Sequence, residues 1–433
     1  MREQIPRLLS KNPCLISKVI FMSYRVLIGD CYDTLDQLDD ESVDTCVTSP
    51  PYFSLRDYGG EDKQIGLEET PEEYVENLVK VFRKVRQKLK PEGTLWLNLG
   101  DTYAGGGGAS GHTEDTKNLG RTTKSYGATA TGKRPIPNGL KPKDLIGIPW
   151  RVAFALQADG WWLRQDIVWA KPNPMPESVK DRCTRSHEFI FQLSKSKKYY
   201  YDHEAILEPI GESMKASIRN GPRKTEGYKH DEDTRMGKAS GNHAFSRQES
   251  LDNIAKGRNK RDVWFISAKP YRGAHFAVYP PELIEPCILA GTSAHGCCAD
   301  CGSPWRRVTK RRGTNQDDEL EQKTEGLSNP KRGGQRVTST GAVPSYAGSS
   351  SLTTGWEPTC ECHSDLSLDE RPIKRAVVLD PFGGSGTTAA VAKKNNRDAI
   401  ICELNEEYVQ LIDDRISSIT GGFRQGQKTL MDY

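Results

Sequence analysis

The sequence predicts an α/β fold with a doubly wound, mostly parallel sheet, and two runs of alternating strand and helix pattern predict it. In the first run, Val43 to Thr48 and Gly93 to Leu99 are short apolar strands flanking Pro71 to Leu89. There Tyr74, Leu78, Val81, Phe82, Val85 and Leu89 recur at helical spacing. The second run, Ala376 to about Ile419, reads as a βαβ-like unit with a glycine-rich turn after its first strand. Strand, helix, strand is the pattern of parallel strands joined by crossovers.

The remaining elements follow in order. Arg25 to Gly29 is a short buried strand ending at Asp30, and Val43 to Thr48 runs straight into the turn Pro50-Pro51. Gly105 to Asp144 is rich in Gly, Thr, Ser and Lys with little periodicity and reads as a mobile loop. Order resumes at Ile146 with a helix and a strand near Arg164 to Trp169. Gly211 to Asp262 is polar and holds 12 Lys+Arg against 8 Asp+Glu, so it either tracks a phosphate backbone or is a solvated insertion. Val263 to Ser267, Gly273 to Pro281 and an amphipathic helix from Glu282 to Leu289 return to core pattern, and Cys298 to Cys362 enclose another polar, Gly- and Ser-rich stretch. Met22 opens a natural strand start, which leaves residues 1–21 as a loose extension or as the product of an upstream start codon.

At 433 residues the chain is long enough for a core with one or two attachments. Its 61 Lys+Arg against 58 Asp+Glu, net +3, neither require nor exclude a polyanionic partner, because local clustering decides that. Eleven cysteines are sparse for this length, and the N-terminus lacks the apolar core of a signal peptide. Reduced or metal-bound thiols are therefore expected. With no apolar run of bilayer-spanning length, the expectation is a soluble, cytoplasmic protein without a membrane partner.

Candidate chemistry is concentrated in two places. Asp380-Pro381-Phe382-Gly383-Gly384-Ser385-Gly386 follows an apolar strand and leads into a helix near Thr387, so close backbone approach and unpaired helix amides suit a nucleotide-like cofactor. The next strand, Asp398 to Cys402, ends in Glu403, placed to accept hydrogen bonds from two ribose hydroxyls. A glycine-rich turn alone is also a common steric solution for a strand-to-helix connection. In Ser49-Pro50-Pro51-Tyr52 two prolines fix the backbone, so a side-chain oxygen and the Pro50 carbonyl can face one point beside a flat ring. Two such acceptors would bind the N–H groups of an aromatic amine and turn its lone pair toward an electrophile. Taken alone, these four residues are an ordinary turn after a strand.

Together, Thr48-Ser49-Pro50-Pro51-Tyr52 and Asp380 to Gly386 resemble the amino-methyltransferases of DNA. With the catalytic motif first and the cofactor motif last, their order is similar to the β-class circular arrangement, and the resemblance spans Tyr24 to about Ile419. It implies a circularly permuted, Rossmann-like S-adenosylmethionine-dependent methyltransferase fold. Ser49, Pro50, Pro51 and Tyr52 would be its catalytic residues, with Tyr52 stacking on a base flipped out of double-stranded DNA. Asp380, Pro381, Phe382, Gly383, Gly384, Ser385, Gly386, Thr387 and Glu403 would bind S-adenosylmethionine, with Asp30 at its adenine and His275, Phe276 and Ala277 at its methionine end. A buried, hydrogen-bonded histidine is an equal reading of His275. The segments implied are an extension at 1–21, a catalytic half at 22–210 with a mobile loop at 104–144, a target-recognition insertion at 211–262, a core return at 263–296, a zinc ribbon at 297–363, a cofactor-binding half at 372–420 and a tail at 421–433. Serine at the first motif position is similar to enzymes that make N4-methylcytosine, whereas aspartate is commoner in those that make N6-methyladenine. Cytosine N4 is thus favoured over adenine N6; a zinc-stabilised nucleic-acid-binding protein with an inactive core is a further alternative, as is an RNA substrate. The family also implies a prokaryotic or phage-encoded protein with a cognate restriction endonuclease.

Two features lie outside that core. Cys298 with Cys301 (C-x-x-C) and Cys360 with Cys362 (C-x-C) can each chelate one side of a tetrahedral, structural zinc ion, with Cys297 and His363 as spare ligands; free thiols in a polar insertion are the alternative. The tail Gln427 to Tyr433 resembles short peptides that dock on replication sliding clamps, or is simply frayed.

Overall fold

The computed structural model describes residues 24–54, 64–105, 136, 139–211, 257–269, 278–311 and 351–420. In chain order its strands are β1 (Tyr24–Ile28), β2 (Val43–Thr48), β3 (Leu89–Leu99), β4 (Trp162–Ala170), β5 (His187–Ser194), β6 (Val263–Phe265), β7 (Cys297–Cys298), β8 (Trp305–Arg311), β9 (Ser351–Pro358), β10 (Ile373–Lys374), β11 (Val377–Asp380) and β12 (Asp398–Glu403). The α-helices are α1 (Cys31–Thr34), α2 (Pro71–Lys88), α3 (Ile148–Ala158), α4 (Pro281–Gly291), α5 (Thr387–Lys394) and α6 (Tyr408–Thr420).

The chain divides into two compact units. The first comprises Met1–Tyr201, Asp262–Pro304 and Pro372–Tyr433, and is built on an eight-stranded sheet of order β1-β12-β11-β2-β3-β5-β4-β6. Pairing is parallel from β1 through β12, β11 and β2 to β3, and again between β4 and β6; β5 runs antiparallel to both its neighbours. From β11 the chain steps outward to β12, whereas from β2 it steps the other way to β3. That reversal puts a topological switch point between β11 and β2, where an open α/β sheet leaves a crevice at the carboxyl ends of its strands. The Rossmann-like fold and its permuted order are both present in this arrangement.

All six residues of β2 are buried, as expected for a parallel strand covered on both faces. On one face, α2 turns Tyr74, Leu78, Val81, Phe82 and Val85 into a cluster with Leu95, Leu97 and Leu99 of β3 and Val152 and Leu156 of α3. Its start is fixed by a capping box, in which Glu73 N donates to Thr70 Oγ1 at 3.2 Å and Thr70 N to Glu73 Oε2 at 3.3 Å, with Pro71 in the first turn. On the other face α4 packs against β2, β3 and α5.

Two differences from the sequence expectation stand out. β3 begins at Leu89 rather than Gly93, and β5 has no counterpart in the sequence reading. Only the last five residues of β5 are fully buried, in an unbroken run, so it shows neither the alternation of a half-buried strand nor strong flanking turn signals.

The second unit comprises Asp202–Arg261 and Trp305–Arg371, stretches that are far apart in sequence. Here β8 and β9 form an antiparallel pair, and Arg307 of β8 grips Asp202 through Nη2 at 2.8 Å and Nε at 3.1 Å while lying 4.5 Å over the Trp356 ring. Glu208 accepts from Arg258 Nε at 2.8 Å and Arg261 Nε at 2.6 Å. The expected extension 1–21, most of the expected loop 104–144, residues 212–256 of the expected recognition insertion and the tail 421–433 lie outside the described residues. Among those described, no helix is long and apolar enough to cross a membrane.

Candidate active site

Neighbouring strands β2 and β11 pair through Thr45–Val378 and Cys46–Leu379, so Ser49 and Pro381 both emerge at the same sheet edge. A side-chain bond joins the two motifs at their roots: Thr48 Oγ1 donates to Asp380 Oδ1 at 2.6 Å, across 332 residues of sequence. Asp380 is 1 % exposed and also accepts from Thr388 Oγ1 at 2.6 Å, Tyr279 OH at 3.1 Å and the Phe382 amide at 3.1 Å. Burial raises its carboxyl above the usual range, and those donors pull it back down. Asp380 thus clasps the loop from beneath, and neither it nor Gly386 lines the cavity described below.

The loop after β11 is pressed onto β12. Gly383 N donates to the Cys402 carbonyl at 2.9 Å, and a Cβ at Gly383 would overlap Ile401, so no side chain fits there. Next to it, Gly384 N donates to Glu403 Oε2 at 2.7 Å, while Asn405 N donates to Oε1 at 3.0 Å. Burial lifts the Glu403 carboxyl to about 7 even though these two amides favour its ionised form; the Asp380 charge adds to the rise. Beside Glu403, on the paired strand where Gly29 N donates to the Glu403 carbonyl at 2.9 Å, Asp30 caps α1, accepting from Tyr32 N at 2.7 Å.

At the end of β2 the Pro-Pro turn is pinned by α2, whose Tyr74 hydroxyl donates to the Pro51 carbonyl at 2.8 Å. The Tyr52 ring lies against the backbone of Gly100, where a Cβ would come within 2.5 Å of Tyr52 Cε2. Its hydroxyl donates toward Glu188 Oε2 at 2.7 Å and lies 3.1 Å from Asn98 Oδ1. Glu188 is ion-paired with Lys171, and the Lys171 ammonium sits 4.2 Å over the Trp169 ring. Burial first and the Glu188 charge second push the Tyr52 phenol well above its usual range, so it stays a protonated donor.

These groups surround one cavity of about 830 Å³. Of the sequence-derived site residues, it brings together Asp30, Ser49, Pro50, Pro51, Tyr52, Pro381, Phe382, Gly383, Gly384, Ser385, Thr387 and Glu403. His275, Phe276 and Ala277 lie outside the described residues, although Tyr279 just beyond them lines the cavity. Sequence reasoning missed Lys171, Glu188, Tyr279 and Thr388, and gave Asn98 no role. Lys171 carried a readable signal, since Lys171-Pro172-Asn173-Pro174 follows a strand as Ser49-Pro50-Pro51 does. Glu188 carried none, because it sits on β5.

The cysteine pairs fall on different units. Cys298 is buried on β7 and Cys301 is exposed on the following turn, which closes as Gly302 N donates to the Cys298 carbonyl at 3.0 Å. Cys360 and Cys362, both partly buried, follow β9 in the second unit. Cys297, one of the spare ligands, is instead buried with its thiol 3.2 Å from Asp44 Oδ1.

A family model described as DNA methylase, for N6 and N4 methyltransferases, matches residues 43–303 and 369–414. The chain belongs to this DNA methylase family. The methylase is 38 % identical over 403 residues to the type II methyltransferase M.SmaI of Serratia marcescens, an alignment covering 93 % of each chain. M.Cfr9I of Citrobacter freundii is 47 % identical over 265 residues, 61 % of this methylase and 71 % of that one. Among solved structures, the cytosine-N4-specific PvuII DNA methyltransferase aligns over 94 % of this chain and 89 % of its own, at 16 % identity and a TM-score of 0.45, a likeness too loose to carry an argument.

Proposed function

We propose that this methylase moves a methyl group from S-adenosylmethionine to the N4 amine of a cytosine flipped out of a DNA duplex, at a fixed site as in a type II system. The observation that carries this reading is the single cavity lined by Ser49 to Tyr52 on one side and by Pro381 to Ser385 with Glu403 on the other. The residues present fit the cofactor. A carboxylate at the end of β12 suits ribose hydroxyls, and the glycine backbone after β11 leaves room for close approach. Phe382, Gly383, Gly384, Ser385 and Glu403, with Asp30 beside Glu403, would hold S-adenosylmethionine, which supplies an electrophilic methyl group.

The rest of the chemistry is positioning. Ser49 Oγ and the Pro50 carbonyl accept from the two N–H groups of the amine, drawing its lone pair out of conjugation and aiming it. Tyr52 stacks on the base, and its ring is held from behind by Gly100 and at its tip by Glu188. Serine at position 49 favours cytosine on the family resemblance. Nucleoside mass analysis after incubation with unmethylated DNA and labelled cofactor should give N4-methylcytosine. N6-methyladenine would correct the base, and no label in a broad set of sequences would sink the reading. Replacing Ser49 or Tyr52 by Ala should abolish transfer and leave cofactor binding intact.

Cys298, Cys301, Cys360 and Cys362 have the spacing for a closed thiolate site, so this reading includes a structural zinc ion held by them. One equivalent of zinc per chain should be measured by elemental analysis and lost when Cys360 and Cys362 are both changed to Ser; a metal-free wild-type chain would exclude it.

A further inference from the structure

Behind the Tyr52 ring, the cavity wall carries a set of polar groups that holding a flat base does not require. The Tyr52 hydroxyl donates to Glu188 Oε2 at 2.7 Å. Asn98 Oδ1 lies 3.1 Å away, held in place because the Asn98 amide donates to the Phe189 carbonyl at 3.1 Å. Glu188 pairs through its other oxygen with Lys171, the two side chains being only 16 % and 20 % exposed. Ser49, Tyr52, Asn98, Lys171 and Glu188 all line the same cavity. Stacking needs no hydroxyl, since phenylalanine offers the same face. A largely desolvated ion pair is also weak evidence for stability, because taking both charges out of water offsets their attraction.

Methyl transfer gives these groups a use. An aromatic amine that gains a methyl group becomes positively charged and strongly acidic, and it must shed an N–H proton. We propose that Glu188 receives this proton, relayed from the target amine through the Ser49 and Tyr52 hydroxyls, while Lys171 holds the other Glu188 oxygen in place. This rests on the methyl-transfer reading given above. In the relay the N–H bond breaks and its electron pair stays on nitrogen, cancelling the positive charge. Ser49 Oγ takes the proton and passes its own to the Tyr52 oxygen; Tyr52 passes its own to Glu188 Oε2, which becomes a neutral carboxyl group. Both hydroxyls are restored, and Glu188 then releases the proton to water. Ser49 and Tyr52 line the same cavity, and the Tyr52 hydroxyl already donates to Glu188 Oε2 at 2.7 Å, so the last link of the path is formed. Glu188 is in this scheme a positioning residue, since it acts through Tyr52.

The test is single-turnover methyl transfer to unmethylated duplex DNA, with enzyme in excess, for wild type, Glu188→Gln, Tyr52→Phe and the double variant. Glu188→Gln keeps the shape and the hydrogen bond but cannot take a proton, so each single change should slow transfer by about tenfold or more. The double variant should be no slower than the slower single, because both break one relay. Glu188→Asp should regain most of the rate, and cofactor affinity should match wild type in every variant. A Glu188→Gln enzyme at the wild-type rate, or losses that multiply in the double variant, would overturn the relay. A wild-type enzyme that labels no DNA would instead overturn the methyl-transfer reading, so the two failures are distinguishable.

Discussion

Glu403 sits where a single proton changes what the site can bind. Its carboxyl titrates at about 7, and burial is the main cause. Ribose hydroxyls donate hydrogen bonds, so the ionised form is the one that accepts them. Affinity for S-adenosylmethionine should therefore be highest above pH 7 and fall as the pH drops through it, by about tenfold between pH 8 and pH 6. Calorimetric titration across that range checks this, and a flat profile would mean that ligand contact does not depend on the Glu403 charge. Gly100 makes a second prediction at this scale. A Cβ there would stand 2.5 Å from Tyr52 Cε2, so Gly100→Ala must displace the stacking ring. Misplacement of a positioning group by about 1 Å is worth roughly a hundredfold in rate, and kcat/KM for DNA should fall by that order with cofactor affinity unchanged.

Elements explain why those residues are where they are. The first turn of α2, set by the Thr70–Glu73 box, delivers Tyr74 beneath the Pro-Pro turn. Thr70→Ala should destabilise the protein by about 1 kcal/mol in denaturant unfolding while leaving the rate of methyl transfer nearly untouched, because the cap lies at the helix start and makes no contact with the cavity. How far this architecture was legible in the sequence follows from the kind of signal each element carries. β2, α2 and β11 announce themselves locally, through an apolar run ending in prolines, a helical stripe opening on Pro71, and a strand ending in glycines. β5 does not. Its place between β3 and β4 is fixed by antiparallel pairings such as Leu97–Phe191 and Ile167–Ile190, which no local pattern encodes. Glu188 inherits that silence, and with it the whole polar wall behind Tyr52. Thr388 and Tyr279 were hidden for a related reason: their role is to bond Asp380, a partner that is identified only once the chain is folded.

At the scale of the whole molecule, the site exists only because the two ends of the core meet. The Ser49–Tyr52 turn lies near the start of the chain and the Pro381–Gly386 loop near its end, yet a permuted order leaves both at the switch point between β2 and β11. Backbone pairing alone would bring the strands together. The bond from Thr48 to Asp380 does something further, since it ties the base of one motif to the base of the other inside the core. Thr48→Val keeps the volume and removes the donor, leaving a buried carboxyl with one partner fewer. Stability should drop by about 1 to 3 kcal/mol, the range for a buried acceptor that loses its donor. Asp380 would then be harder to ionise than it already is, so the loss should be larger at pH 8 than at pH 5, because the ionised carboxylate is the form that most needs the donor. Thr388→Val acts on the other oxygen of the same carboxyl, and its effect should couple to that of Thr48→Val instead of adding. Urea unfolding of both single variants and the double variant at the two pH values measures this directly. Strictly additive, pH-independent losses would show that the two ends of the core are held by strand pairing alone.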